Sequence, residues 1–273
     1  MANWSVRPSL LACLLPLAVI AACSGEVSEA PPPPKEGDKA PAEGDARPGK
    51  STKPPKAVPG RPSERPVKEA QSGPVATPLP EGAPAVFTDP SLATEQAPGA
   101  FKCRFETSKG AFVVEVTREW APQGADRFYN LCKIGWFDNA KFFRNIGGFM
   151  VQFGMSAYPE AMAAWKDATI KDDPVVQSNT PLMVTFAKTG RPDSRSTQIF
   201  INHGNNKNLD SMGFAPFGKV VEGAEVVGQL YDGYGEGAPR GRGPGQDLIM
   251  KYGDVYLEDR FPKLDKIVRT TVE

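Results

Sequence analysis

Residues 142–154 read FFRNIGGFMVQFG. One arginine, Arg144, stands just ahead of the apolar pair Phe149-Met150 and a glutamine, Gln152. The arrangement has the makings of a site, yet it holds no nucleophile, no metal ligand and no general base. The whole chain of 273 residues has a single histidine. In a strand, alternate residues share a face. Met150 and Gln152 in FMVQF (149–153) therefore point one way, and so do Gln198 and Phe200 in TQIFI (197–201). Two such strands would each present one amide and one large apolar side chain. With Arg144 alongside, this makes an apolar floor ringed by hydrogen-bond donors. Spacing alone leaves a second reading open, in which Phe149, Met150 and Phe200 are core residues and Arg144 is a surface charge.

Other short apolar runs surround this stretch. KCRFET (102–107) and AFVVEV (111–116), split by Ser108-Lys109-Gly110, read as two strands joined by a tight turn. APQGADRFYNLCKIG (121–135) reads as a helix. Pro122 suits a first turn, Ala121, Ala125, Phe128, Leu131 and Cys132 recur at helical spacing, and Gly135 is a plausible terminator. KFFRNI, FMVQFG, LMVTFA, STQIFIN and FAPFGKVV are too short for helices and rich in Phe, Val and Ile. An all-β barrel or sandwich with few helices follows. EGAEVVGQLYDG (222–233) reads as a second helix and YPEAMAAWK (158–166) as a short packing helix. LDKIVRTTVE (264–273) reads as a closing strand.

Charge is balanced, with 32 Lys+Arg against 32 Asp+Glu, so nothing points to nucleic acid. The prolines crowd into the first hundred residues. MANWSVRPSLLACLLPLAVIAAC has the plan of a secretory signal, residues 1–22, and ends in small residues leading into Cys23. That ending resembles a bacterial lipobox, which implies that Cys23 is lipidated. The chain is then expected at the cell envelope, facing the periplasm, with the outer membrane favoured because Ser24 follows the cysteine. Residues 23–98 are rich in Pro, Ala, Gly, Lys and Glu and poor in large apolar side chains, so they read as a disordered linker. At ~3.1 Å per residue, such a tether reaches at most about 230 Å. Cys103 and Cys132 remain in the folded part. Two buried free thiols are the expectation and a bridge is the alternative. The loop GYGEGAPRGRGPGQ (233–246) contains no phosphate-cradling motif and has no assigned role. His203 reads as an exposed loop residue, no Cys/His metal spacing is present, and no cofactor is expected.

The motifs resemble one family, the cyclophilins, which are peptidyl-prolyl cis-trans isomerases. FFRNIGGFMVQFG matches their F-x-R-x-I-x-G-F-M-x-Q-x-G signature. STQIFIN (196–202) matches their S-x-Q-F-F-I strand with Ile199 in place of Phe, and FAPFGKVVEG (214–223) matches the segment before their second helix. The likeness is dense over 101–231 and looser beyond. It implies a mainly β fold, a closed eight-stranded antiparallel barrel capped by two helices, over residues 99–273, with the site on its outer face. By the same resemblance Arg144 is the catalytic arginine and Gln152 binds the substrate backbone. Phe149, Met150, Phe200, Leu209 and Phe214 line or rim the proline pocket, and Ala187 and Gln198 shape the neighbouring groove. Three departures stand out: Lys188 where many members carry Asn, Asn208 where animal members carry Trp, and Phe214 where they carry His. The second implies weak cyclosporin binding.

Such a site needs no nucleophile, because rotating an X-Pro bond breaks no covalent bond. The barrier, about 18–20 kcal/mol, is lost amide resonance. As the bond twists, the proline nitrogen becomes pyramidal and regains its lone pair, to which a guanidinium can donate. Proline-containing, unfolded or exported polypeptides are the expected partners of a monomeric enzyme anchored through its N-terminal lipid. The alternative is a module that holds clients or scaffolds at the envelope with little catalysis.

Overall fold

A computed structural model describes residues 75–273. The signal segment, Cys23 and the linker as far as residue 74 lie outside the described residues.

The chain builds its sheet from segments whose apolar residues alternate. β1 (Ala100–Thr107) buries Phe101, Cys103 and Phe105 and turns Lys102, Arg104 and Glu106 outward. It pairs antiparallel with β2 (Gly110–Thr117) through the expected tight turn. Gly110 there has φ +124°, a conformation side chains disfavour, and the Thr107 hydroxyl donates to its carbonyl at 2.7 Å. The remaining strands are β3 (Arg144–Ile146), β4 (Met150–Phe153), β5 (Met183–Phe186), β6 (Ile199–Asn202), β7 (Pro216–Glu222) and β8 (Ile267–Val272). Together they form one eight-stranded antiparallel sheet in the order β3-β4-β6-β5-β7-β2-β1-β8. Among the described residues no ladder joins the end strands β3 and β8. The chain entering β3 closes the barrel instead. Lys141 bridges Lys266, and Asn139 and Ala140 exchange backbone bonds of 2.9 Å with Ile267.

Phenylalanines fill the interior. Phe105 stacks on Phe112 at 4.8 Å, Phe128 lies 4.8 Å from Phe217, and Phe142 lies 4.9 Å from Phe153. Helix α1 (Pro122–Lys133) lays Ala125, Phe128 and Leu131 onto this core. Its first turn is capped from a distance, because the Asp173 carboxylate accepts from the Gln123 and Gly124 amides at 3.0 and 2.9 Å. Cys132 on α1 and Cys103 on β1 are joined by a disulfide, with Cα atoms 6.7 Å apart. Two free thiols were the expectation. The bridge arises because β1 and α1 pack face to face, a juxtaposition that spacing along the chain does not encode. Closing a loop of 29 residues stabilises the fold by roughly 3 to 4 kcal/mol, mostly through the unfolded chain.

The short helix α2 (Pro159–Trp165) forms as read, burying Ala161, Met162 and Trp165. The helix expected over 222–233 shrinks to α3 (Ala224–Gly228). Gly223 before it has φ +72° and its Cα sits against β2, where a Cβ would be 2.7 Å from the Phe112 Cα. Two further helices, α4 (Gln246–Tyr252) and α5 (Asp254–Arg260), bring the described residues to five α-helices where the sequence reading gave three. They are short, and their apolar residues serve a second core of Phe143, Met155, Met162, Ile249, Leu257, Phe261 and Leu264. A buried ion pair of 2.6 Å between Lys141 and Asp254 ties α5 to the barrel.

The linker boundary at residue 98 also needs correction. Residues 75–98 pack onto the barrel and belong to the folded unit. Phe87 is 6% exposed, and its ring lies 5.9 Å from Trp136 and 6.3 Å from Tyr158. The Trp165 indole donates to the Val86 carbonyl at 3.0 Å, and Asn130 donates to the Glu95 carbonyl at 2.7 Å. A few anchors in a Pro-rich segment suffice here because the barrel offers them ready-made pockets. Replacing Phe87 by Ala should destabilise the domain by about 3 kcal/mol, read as a lower denaturant midpoint at unchanged slope. An unchanged midpoint would place this segment outside the cooperative fold.

Candidate active site

Three neighbouring strands, β3, β4 and β6, bring the site residues side by side. Arg144 pairs with Gln152 across β3 and β4, and Gln152 pairs with Phe200 across β4 and β6. The alternation read from the sequence holds. Val151, Phe153, Ile199 and Ile201 enter the barrel core, while Met150 and Phe200 join a separate outer cluster with Leu209. Ile146, Phe149, Ala187 and Phe214 pack around that cluster. The Phe200 and Phe214 rings meet edge to face at 5.9 Å. This apolar floor lies in a cleft of about 870 Å³, which all nine sequence-predicted cleft residues line: Arg144, Phe149, Met150, Gln152, Ala187, Gln198, Phe200, Leu209 and Phe214.

The polar groups are fixed with respect to one another. Arg144 donates from Nη1 to Gln152 Oε1 at 3.0 Å, and Gln152 donates from Nε2 to Gln198 Oε1 at 2.7 Å. Those two bonds orient the Gln152 amide and leave it one N–H to spare. The guanidinium carbon of Arg144 lies 5.9 Å from the centre of the Phe149 ring. On its other side Arg144 meets Glu236, with Nε to Oε1 and Nη2 to Oε2 both at 2.7 Å. This two-point bond holds the Glu236 carboxyl below the usual carboxylate range, against a smaller upward push from burial.

Sequence reasoning missed Glu236. It is a lone acid among the glycines of the 233–246 loop, to which the sequence assigned no role. A second set, the asparagines that hold the pocket wall, was also missed. Asn206 donates to the Phe149 carbonyl and to Asn202 Oδ1, both at 2.7 Å. Asn179 donates to the Phe214 carbonyl and to Asp210, both at 2.8 Å, and accepts from Thr185 at 2.9 Å. These bonds pin the 3-10 segment Lys207–Met212, which carries Leu209. Asn202 and Asn206 stand in FINHGNN (200–206) and Asn179 lies apart from them, and loop asparagines are common and carry no spacing rule.

Two residues differ from their sequence reading or its emphasis. His203 is half-buried, with Nε2 2.9 Å from Asn145 Oδ1, and is not an exposed loop residue. Asn145 spends its amide N–H on the Leu230 carbonyl at 2.9 Å, so the histidine ring is the donor. Burial lowers the pKa of His203, with Asp232 opposing more weakly. Lys188 lines the cleft, but its charge is tied to Asp172 at 2.8 Å. Burial would raise Asp172, yet the Lys188 bond and its other partners hold it below the ordinary range.

The family model of the "Cyclophilin type peptidyl-prolyl cis-trans isomerase/CLD" matches residues 102–251. The chain belongs to this cyclophilin family. Peptidyl-prolyl cis-trans isomerase B of Escherichia coli strain K12 is 30% identical over 162 residues, covering 56% of this chain and 94% of the relative. Peptidyl-prolyl cis-trans isomerase-like 3 of Dictyostelium discoideum is 32% identical over 124 residues, covering 44% of this chain and 76% of the relative. A crystal structure of a Cryptosporidium parvum cyclophilin-type peptidyl-prolyl cis-trans isomerase superposes with a TM-score of 0.48 at 18% identity, covering 64% of this chain and 98% of that one. The residues matched by the family model include the strands that carry the cleft, and on the family model and these relatives the chain is a peptidyl-prolyl cis-trans isomerase of this type.

Proposed function

We propose that Arg144 drives the isomerisation by stabilising the twisted prolyl amide, and that the substrates are exported proteins. The proline ring sits on Met150, Phe200, Leu209 and Phe149, while Gln152 holds the substrate backbone. The X-Pro bond then turns against a fixed frame. As resonance is lost the prolyl nitrogen gains a lone pair, and the guanidinium donates to it. The planar ground state offers no such acceptor, so the interaction favours the transition state alone.

One observation supports this reading above the others. Arg144 is 22% exposed at the edge of the apolar floor and is fixed by three hydrogen bonds. A guanidinium has about five N–H donors, so about two remain for a substrate. A charge-assisted bond is worth about 1.5–3 kcal/mol, which corresponds to roughly 10- to 100-fold in rate. Arg144→Ala should lower kcat/KM on an Ala-Pro peptide by that factor and leave peptide affinity nearly unchanged. Arg144→Lys should recover little, because a flexible point charge lacks the planar fork. A protease-coupled or NMR exchange assay checks both; full turnover in Arg144→Ala would remove the proposal.

The same reading places the enzyme on a lipid anchor at Cys23, with residues 23–74 as its tether and the periplasm as its compartment. The small residues leading into Cys23 support this. The Cys103–Cys132 disulfide also fits an oxidising compartment. Mass spectrometry of protein purified from its native membrane should find an acylated Cys23 as the N-terminal residue. An unmodified N-terminus at another position would contradict the anchor.

A further inference from the structure

We infer that Glu236 is a positioning residue for Arg144, and that the 233–246 loop exists to deliver it. This rests on Arg144 being the catalytic group. The loop arrives from outside the barrel, between α3 and α4, and its glycines let it fold tightly on itself around Glu236. The Gly243 amide donates to the Glu236 carbonyl at 2.8 Å, and the Gly237 amide to the Glu236 carboxylate at 2.9 Å. A Cβ at Gly237 would lie 2.6 Å from the Pro244 carbonyl, and one at Gly243 2.9 Å from that of Glu236. A Cβ at Gly241 would run into the same Glu236 carbonyl. Glycine is thus required at three points by close approach, two of them against the backbone of Glu236 and the third beside it against Pro244.

The loop is also fastened at its base. Tyr234 packs edge to face on Phe261 at 5.0 Å, and the Gly245 amide donates to the Tyr256 hydroxyl at 3.2 Å. Phe261 belongs to the second core and Tyr256 packs against it, on a stretch whose helices sequence reading did not foresee. Loop, α4 and α5 form one support whose free tip is the Glu236 carboxylate. The carboxylate grips the Nε–Nη2 side of the guanidinium, and Gln152 takes Nη1. Torsion of the Arg144 side chain is thereby stopped from two directions, which serves a reaction whose transition state must meet a donor at one place.

The alternative, that the loop plugs the site, fits less well. Gly237, Ala238, Pro239 and Arg240 form a wall of the cleft, which stays open at about 870 Å³. Positioning and plugging predict opposite signs for one substitution. Glu236→Gln keeps the size of the side chain but removes the charge and one of the two matched acceptors.

The full chain is assayed with an Ala-Pro peptide as wild type, Glu236→Gln, Arg144→Ala and the double variant. The expected result is a kcat lowered about tenfold in Glu236→Gln, with KM within about twofold and the melting temperature unchanged. In the Arg144→Ala background, Glu236→Gln should add nothing. The 15N-detected Arg144 Nε–H should be protected from solvent exchange in the wild type and exposed in Glu236→Gln, which a merely structural role would not produce. An unchanged or raised kcat in Glu236→Gln, with Arg144→Ala slowed as proposed, overturns the inference alone, and a raised kcat would identify the loop as inhibitory. Full activity in Arg144→Ala would bring down the catalytic reading and this inference with it.

Discussion

Register across β3, β4 and β6 is the constraint on which the site depends. Arg144, Gln152 and Phe200 lie in one line across three hydrogen-bonded strands. The side-chain period of a strand is two, so a slip of one residue would turn Asn145, Val151 and Ile199 to the cleft and bury the polar line in the core. Phe153, Val151, Ile199 and Ile201 prevent that slip, because each is fully enclosed among the phenylalanines of the barrel. The core therefore does more than stabilise the fold. It fixes which face of three short strands lines the cleft, and with it the relation between a cation, an amide and an apolar floor.

Strands provide the floor, but irregular chain provides the walls. Leu209, Phe214 and Phe149 come from turns and a 3-10 segment, elements with no ladder of their own. Asn179 and Asn206 take the place of a ladder by bonding to the Phe214 and Phe149 carbonyls, and Asn202 accepts from Asn206 behind them. The 233–246 loop is treated in the same way from the opposite side, through glycine-permitted turns and aromatic contacts to α5. A barrel with a polar network on one flank and a helical support on the other fixes the walls of its cleft.

Most of the fold was legible from the chain because its strands carry clean alternation. FMVQF and TQIFI each sort their residues onto two faces without reference to any other strand. The site was legible for the same reason, once the motifs of the family had been recognised. What escaped reading depended on contacts between distant segments. Phe87 sits in a stretch whose average composition is that of a linker, and only the pocket between Trp136 and Tyr158 makes it structural. The disulfide between Cys103 and Cys132 requires β1 to face α1. Helices α4 and α5 have seven residues each and no long periodicity. Glu236 was hidden because its partner stands 92 residues earlier.

The proposed catalysis comes down to charge supplied at one point during a torsional movement. Its most direct test is the interconversion rate of a prolyl peptide while bound, measured by NMR exchange at saturating enzyme, in the wild type and in Arg144→Gln. The variant keeps an amide donor but loses the cation, and bound-state measurement removes any contribution from affinity. The account predicts interconversion slower by about tenfold or more in the variant, with the bound peptide still in the cleft. Equal interconversion rates in the two proteins would contradict it.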